Sequence, residues 1–430
     1  MRRRFLHTCL HACAWLAASA SSQAIAETDT GLMPVDDLAA LMLADDTADS
    51  HNDEKPWKLT VEAAAGMASE RDTSAYAVAR GALDMALDYR ATPTLRLVFR
   101  DRIDDFSRAN ASGQHVINTW KEGYLAWQPT SHASLELGRI NVRQGVAMGY
   151  NPTDWFNDGA VRAVPSVAPD SLRQNRQGSI VARSQWLWNG GAAFALYSPK
   201  LASTPSQASF SPDLGATNRR HRYLLGASSR LSDRIQPQLL LQGGQGQSPQ
   251  VGVNLSVLAS DAVTAYAEWS GGRDRSQLNE ALGLPPDTAF RQRLSTGGTW
   301  TIGGKVTATA EYQYDGAAPD ATQWRQFWRL PPAAQMGYRQ FLADSQELAT
   351  RSGAFLYVSW RDAMTPGLDL NAMARLDLVD RSNMFWIEWR YRLPGWDIAL
   401  QWQRNAGARD TSYGSLPVRQ SLMLLTALYF

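Results

Sequence analysis

Leu368-Asp369-Leu370-Asn371-Ala372-Met373-Ala374-Arg375-Leu376-Asp377-Leu378 alternates, residue by residue, between an aliphatic series and a series rich in Asp, Asn and Arg. Successive side chains of a β-strand point to opposite faces, so a period of two over this length predicts a strand whose faces meet different surroundings. The next two stretches repeat the pattern. Phe385, Ile387, Trp389 and Tyr391 oppose Glu388, Arg390 and Arg392, and Trp396, Ile398, Leu400 and Trp402 oppose Asp397, Gln401 and Gln403. Leu393-Pro394-Gly395 between them reads as a tight turn.

The same signal extends in both directions. Toward the N-terminus, Leu83, Met85, Leu87 and Tyr89 alternate with Asp84, Asp88 and Arg90; Leu95, Leu97 and Phe99 alternate with Arg96, Arg100 and Arg102. Leu422, Leu424, Thr426, Leu428 and Phe430 close the chain in a final alternating strand, which resembles the C-terminal strand of outer-membrane barrels and implies the barrel-assembly machinery as a partner through Phe430. Eighteen candidate strands fall between residues 56 and 430. The hairpin near Gly190 and the pairing across 234–257 are the weakest, leaving 16 as the alternative count.

Alternation alone fits a soluble sandwich as well as a barrel. The connections discriminate: taking the N-terminus as periplasmic, odd-numbered connections include the long segments 143–177, 199–220, 272–288, 316–351 and 405–418, and even-numbered ones are short turns. Short turns at one rim and long loops at the other are the plan of a transmembrane antiparallel β-barrel. The fold class expected is therefore all-β, a transmembrane β-barrel in outer-membrane lipid.

The start of the chain agrees. Met1-Arg2-Arg3-Arg4, an apolar stretch to Ala20 and Ala24-Ile25-Ala26 predict a signal peptide over 1–26. Residues 27–55 follow as an acidic periplasmic leader, with nine carboxylates between Glu27 and Glu54 and no Lys or Arg before Lys55, and 56–430 as the barrel. The leader is far too short for an independent plug domain. Both cysteines, Cys9 and Cys13, lie in the signal peptide, so the mature chain has no thiol chemistry. Removing three arginines takes the 42 basic residues to 39 against 41 acidic ones, and this balance gives no field for nucleic acid. Nowhere are there the about 20 consecutive apolar residues that a membrane helix needs.

Inward-facing candidates for lining a pore are Arg80, Arg90, Arg96, Arg100, Arg102, Arg375, Glu388, Arg390 and Arg392. A guanidinium row steers carboxylates or phosphates; the same arginines paired to neighbouring carboxylates would only brace the wall. Segment 135–157 reads Leu-Glu-Leu-Gly138-Arg139-Ile-Asn-Val-Arg143-Gln-Gly145, then Gly149-Tyr-Asn151-Pro-Thr-Asp154-Trp-Phe. Here the chain resembles outer-membrane porins and polysaccharide exporters, in which a strand ending in Gly-Arg precedes a glycine-bearing loop that enters the pore. The resemblance covers the barrel plan and this stretch. Glycines 138, 145 and 149 permit positive φ and close backbone approach, and a loop of about 35 residues is unusually long unless functional or mobile. So 143–177, with Arg143, Asp154 and Arg162, is nominated as a constriction or lid, an outward-projecting surface loop being the alternative; Asn151-Pro-Thr-Asp154 has the chemistry to cap a short helix. In the loop 316–351, Trp324, Trp328 and Tyr338 among arginines are candidates for stacking on sugar rings, or equally one packed helix face.

No cofactor, metal site or nucleic-acid partner is expected. His132-Ala133-Ser134 falls at a turn on the periplasmic rim, without an acid partner, so no enzyme is expected either. The functional expectation is a channel for passive diffusion or export of a polar, anionic solute or polysaccharide. A non-conducting surface barrel is the alternative, and an outer-membrane hydrolase a third reading.

Overall fold

A computed structural model describes residues 55–109, 113–206 and 208–430. The expected signal peptide, and all of the acidic leader except Lys55, lie outside them. The strands are β1 (Trp57–Glu70), β2 (Tyr76–Thr92), β3 (Leu95–Phe106), β4 (Val116–Thr130), β5 (Ala133–Ile140), β6 (Ser179–Trp188), β7 (Gly191–Ser198), β8 (Arg222–Ser229) and β9 (Ile235–Gly244). They continue with β10 (Gln247–Ser260), β11 (Val263–Asp274), β12 (Ala289–Ile302), β13 (Val306–Asp315), β14 (Ser352–Trp360), β15 (Leu368–Asp377), β16 (Asn383–Leu393), β17 (Trp396–Ala406) and β18 (Val418–Tyr429).

Each strand pairs antiparallel with its sequence neighbours, and β1 pairs with both β2 and β18, closing an 18-stranded barrel. Closure leaves no strand edge and satisfies the spanning backbone within the ladder, as hydrocarbon surroundings demand. Both doubtful hairpins form: Gly190 (φ +81°) turns β6 into β7, and Gly246 (φ +73°) turns β9 into β10, conformations that glycine adopts without a Cβ clash. Eighteen strands therefore stand and sixteen do not. β1 runs to Glu70 because Met67 and Ala68 still pair on both sides, with Ala77 and Tyr76 on β2 and with Leu422 and Ser421 on β18.

Burial decides between barrel and sandwich. Leu97, Phe99, Trp389, Leu422 and Leu424 are exposed, whereas Arg102, Asp104, Glu268, Asp315 and Glu388 are buried. A soluble sandwich would bury the first set and solvate the second. The inversion is that of a wall with lipid outside and a polar, side-chain-filled lumen inside. The described residues contain no helix long and apolar enough to cross a membrane.

Among the described residues five short helices lie in the connections: α1 (Pro169–Gln174), α2 (Leu214–Thr217), α3 (Gln277–Ala281), α4 (Ala321–Phe327) and α5 (Pro332–Ser345). The connection between β5 and β6, residues 141–178, does not project outward. Val142 and Phe156 pack with Val98, Tyr124, Leu224 and Leu240 in an apolar cluster that fills the lumen beside β3–β9. Met148, Val167 and Ala168 pack against Phe355, Met373, Met384 and Trp386 from β14–β16.

Candidate functional site

The β5–β6 loop is held in the lumen by carboxylates of the wall. Glu268 on β11 accepts hydrogen bonds from the backbone N–H of Val146 (3.0 Å), Ala147 (3.2 Å) and Thr153 (2.8 Å), from the Thr153 hydroxyl (2.8 Å) and from Asn151 Nδ2 (3.2 Å). Glu311 on β13 takes the N–H groups of Met148 and Gly149 and the hydroxyl of Tyr266. Backbone amides of a loop are donors that burial leaves without water, and a fixed carboxylate satisfies several at once. Gly149 is needed there: a Cβ would stand 2.5 Å from the Phe355 ring and 2.8 Å from Glu311 Oε2.

Further ties run to β10, where Trp155 Nε1 donates to Gln250 (3.1 Å), and to β8, where Arg222 donates to the Trp155 carbonyl (3.2 Å). All of these anchors stand on β8–β13.

Across the lumen lies a cavity of about 370 Å³. One side is the loop from Pro165 to Asn175; the other is wall from β14 around to β3, with Glu62, Arg80, Asp84, Arg102, Glu388 and Arg390 as its charged groups. Asp170 of α1 adds one more carboxylate from the loop side.

Every wall arginine in that cavity is already paired. Arg102, 2 % exposed, donates to Glu62 (2.8 and 3.0 Å), to Asp104 (3.0 Å) and to Asp84 (3.3 Å). Arg80 lies 3.4 Å from Glu62 and 3.6 Å from Asp104, and Lys121 2.7 Å from Asp84. Arg390 forks onto Glu388 (3.0 and 3.1 Å) and reaches Asp397 (3.2 Å). These bidentate contacts lock the guanidinium planes to the wall.

The other sequence candidates distribute as follows. Arg96 pairs with Asp88, and Arg100 lies 3.4 Å from Glu122. Arg90 is exposed near the rim that carries the chain ends, opposite Arg96 in register. Arg392, half-exposed, binds Asp362 and Asp369 on the same rim, and Arg375 lies over the Phe355 ring.

On the loop, Arg143 is half-buried, Asp154 binds Arg176 at 2.8 Å, and Arg162 donates to the carbonyls of Ser211 and Ala208, tying the loop to the β7–β8 connection. Asn151–Asp154 forms turns and caps no helix; the loop's one helix, α1, begins later, at Pro169, with a proline that fits the first helical turn.

Trp324 and Tyr338 are enclosed with Phe327 where α4 meets α5, Trp324 and Phe327 stacking at 5.0 Å, so neither of the two candidates offers an open face to a sugar ring. Trp328 is half-buried against the same cluster, edge-on to Trp324. His132 is exposed at the β4–β5 turn.

The sequence reading did not single out Glu268, Glu62, Arg173 or Arg176. Glu268 stands on the polar series Tyr266, Glu268, Ser270, and that alternation alone marks it as inward-facing.

No protein-family model matches the sequence, and a search of curated proteins finds no match. Solved structures do match. OccAB1 of Acinetobacter baumannii superposes with a TM-score of 0.56 at 8% identity over 87% of this chain and 96% of that one. Pseudomonas aeruginosa OccK9 (OpdG) gives 0.55 at 12% identity over 87% and 97%, and the outer membrane protein OpdK of the same organism 0.52 at 10% over 87% and 98%. Likeness at such identities is likeness of fold, an outer-membrane barrel of the porin type.

Proposed function

We propose, from a barrel of the porin type, that this chain is an outer-membrane channel for passive diffusion of a small polar solute, which crosses between α1 and the wall formed by β14–β18 and β1–β3. The observation that carries the reading is the inward loop: held by Glu268 and Glu311, it leaves a charged cavity of about 370 Å³ against the wall across the lumen. No bond need be made or broken there; selection rests on width, hydrogen bonding and field.

The size supports a small solute over a polymer. A cavity of about 370 Å³ falls in the range of ordinary small-molecule pockets, roughly 300–1,000 Å³. On charge, Arg80, Arg102 and Arg390 support an anionic group on the solute, but Glu62, Asp84, Glu388 and Asp170 face the same space and the arginines are bonded to them. A lining of mixed sign holds a solute that carries both charges, or a neutral one rich in hydroxyls, better than a simple anion.

Conductance of single barrels in a planar bilayer tests this. Stable openings, near-neutral ion selectivity and current block by zwitterionic solutes are expected. A folded barrel that never conducts overturns the channel reading, and a strong anion preference overturns the mixed-charge filter.

A further inference from the structure

α1 separates two cavities. Asp170, Ser171 and Gln174 face the large one; Pro169, Leu172 and Arg173, with Arg176 just beyond the helix, face a smaller one of about 70 Å³ bounded also by residues between 148 and 161 of the same loop, by Gln346 and by Arg375 of β15. The two share no lining residue. We infer that the smaller cavity is a binding site for one small oxyanion, the size of phosphate, held by Arg173, Arg176 and Arg375.

The argument starts from unspent donors. The Arg176 side chain is 5% exposed, and only its Nη1 is used, on Asp154 at 2.8 Å; its Nε and Nη2 are buried without a partner. Arg375 Nε is likewise buried and unpartnered, and its guanidinium makes no ion pair among the described residues, only the approach to Phe355 at 5.4 Å. Arg173 is bonded to the carbonyls of Ala147 and Gln144 at 3.4 Å, at the long limit for such contacts. Three guanidinium groups thus surround the space with Asp154 as the one carboxylate among its lining residues.

Burying cationic donors without acceptors is strongly unfavourable unless an anion joins them. Water alone would satisfy the hydrogen bonds but not the charge. At roughly 10–15 Å³ per water, the cavity takes the equivalent of about five waters, the room needed for four oxygens about a central atom. An oxyanion there bridges the loop (Arg173, Arg176) to the wall (Arg375). The inference concerns binding alone and stands whether or not solute crosses the barrel.

Calorimetric titration of the detergent-purified barrel with inorganic phosphate tests it, with sulfate and acetate as further arms and chloride at equal ionic strength as background. One saturable site is expected, weakened at least tenfold in Arg375→Gln and in Arg176→Gln and largely kept in Arg375→Lys. Binding of acetate alone would make the site one for carboxylates and overturn the tetrahedral assignment. Absence of saturable binding to the parent barrel overturns the inference, as does binding unchanged in both glutamine variants. Should both variants fail to fold, the parent is decisive by hydrogen exchange: phosphate must slow exchange of amides in 169–176 relative to chloride, and equal rates refute the site.

Discussion

Glu268→Ala should turn a fixed loop into a fluctuating one. Five donors converge on this carboxylate, three of them backbone N–H groups of Val146, Ala147 and Thr153. A hydrogen bond to a charged group is worth about 1.5–3 kcal/mol, and a buried donor stripped of its acceptor costs about 1–3 kcal/mol. The five are not additive, and water entering the vacated space recovers part of the loss. A net loosening of about 3–6 kcal/mol is the reasonable scale, which at about 1.4 kcal/mol per tenfold raises the detached population of the loop on the order of 10²–10⁴-fold. Glu311 still holds Met148 and Gly149, so detachment is local to residues 146–147 and 151–153. The barrel ladder does not involve this side chain, and heat-modifiable migration should be unchanged. Single-channel recording reads the effect as added current noise with transient steps above the parent's level. A variant trace as quiet as the parent's, from a barrel of normal migration, would refute the view that Glu268 holds the loop.

Three other outcomes are expected. Arg102→Gln removes the central cation among Glu62, Asp84 and Asp104, so the reversal potential across a salt gradient should move toward cation selectivity; no movement would mean that this network braces the wall without setting the field. Gly66→Val should cut the yield of folded barrel, read on a heat-modifiability gel, because even a Cβ at this position would meet the Leu422 carbonyl oxygen at 2.0 Å in the β1–β18 seam. Burial pushes the Glu347 carboxyl above its ordinary 4.5 against the pull of Arg293. Its folded value lies above its unfolded one, so the stability tied to its proton is complete below about 4.5 and lost as pH climbs through the raised value. The bond from the Tyr150 hydroxyl links this residue to the β5–β6 loop, so proteolysis of 316–351 should accelerate at alkaline pH and lose that dependence in Glu347→Gln.

The strands were legible because lipid and lumen impose opposite demands on neighbouring residues, and Leu368 to Leu378 carries that contrast without interruption. Hairpins at Gly190 and Gly246 were harder, since the strands they join are short or weakly alternating, as with Gly191–Ser198. The arginine row was legible as inward-facing and not as paired: Arg102 meets Glu62 from 40 residues away, a contact that follows from barrel closure and register. The loop's entry into the lumen was suggested by its length and glycines. Its anchors were not, because Glu268 and Val146 are 122 residues apart and nothing local to either names the other. The aromatics of 324–338 had a spacing that served two purposes equally, and only burial separated them.

The carboxylates that hold residues 146–153 stand on β11 and β13, and the filter's charged wall groups run from β16 around to β3. A substitution at Asn371, Gln401 or Tyr429 therefore changes what the solute meets without touching any group that fixes the loop. Such a division lets the barrel drift toward new solutes one residue at a time, each step paying no penalty in the position of the gate; a lumen whose filter residues also tied down the loop would have to change both functions together.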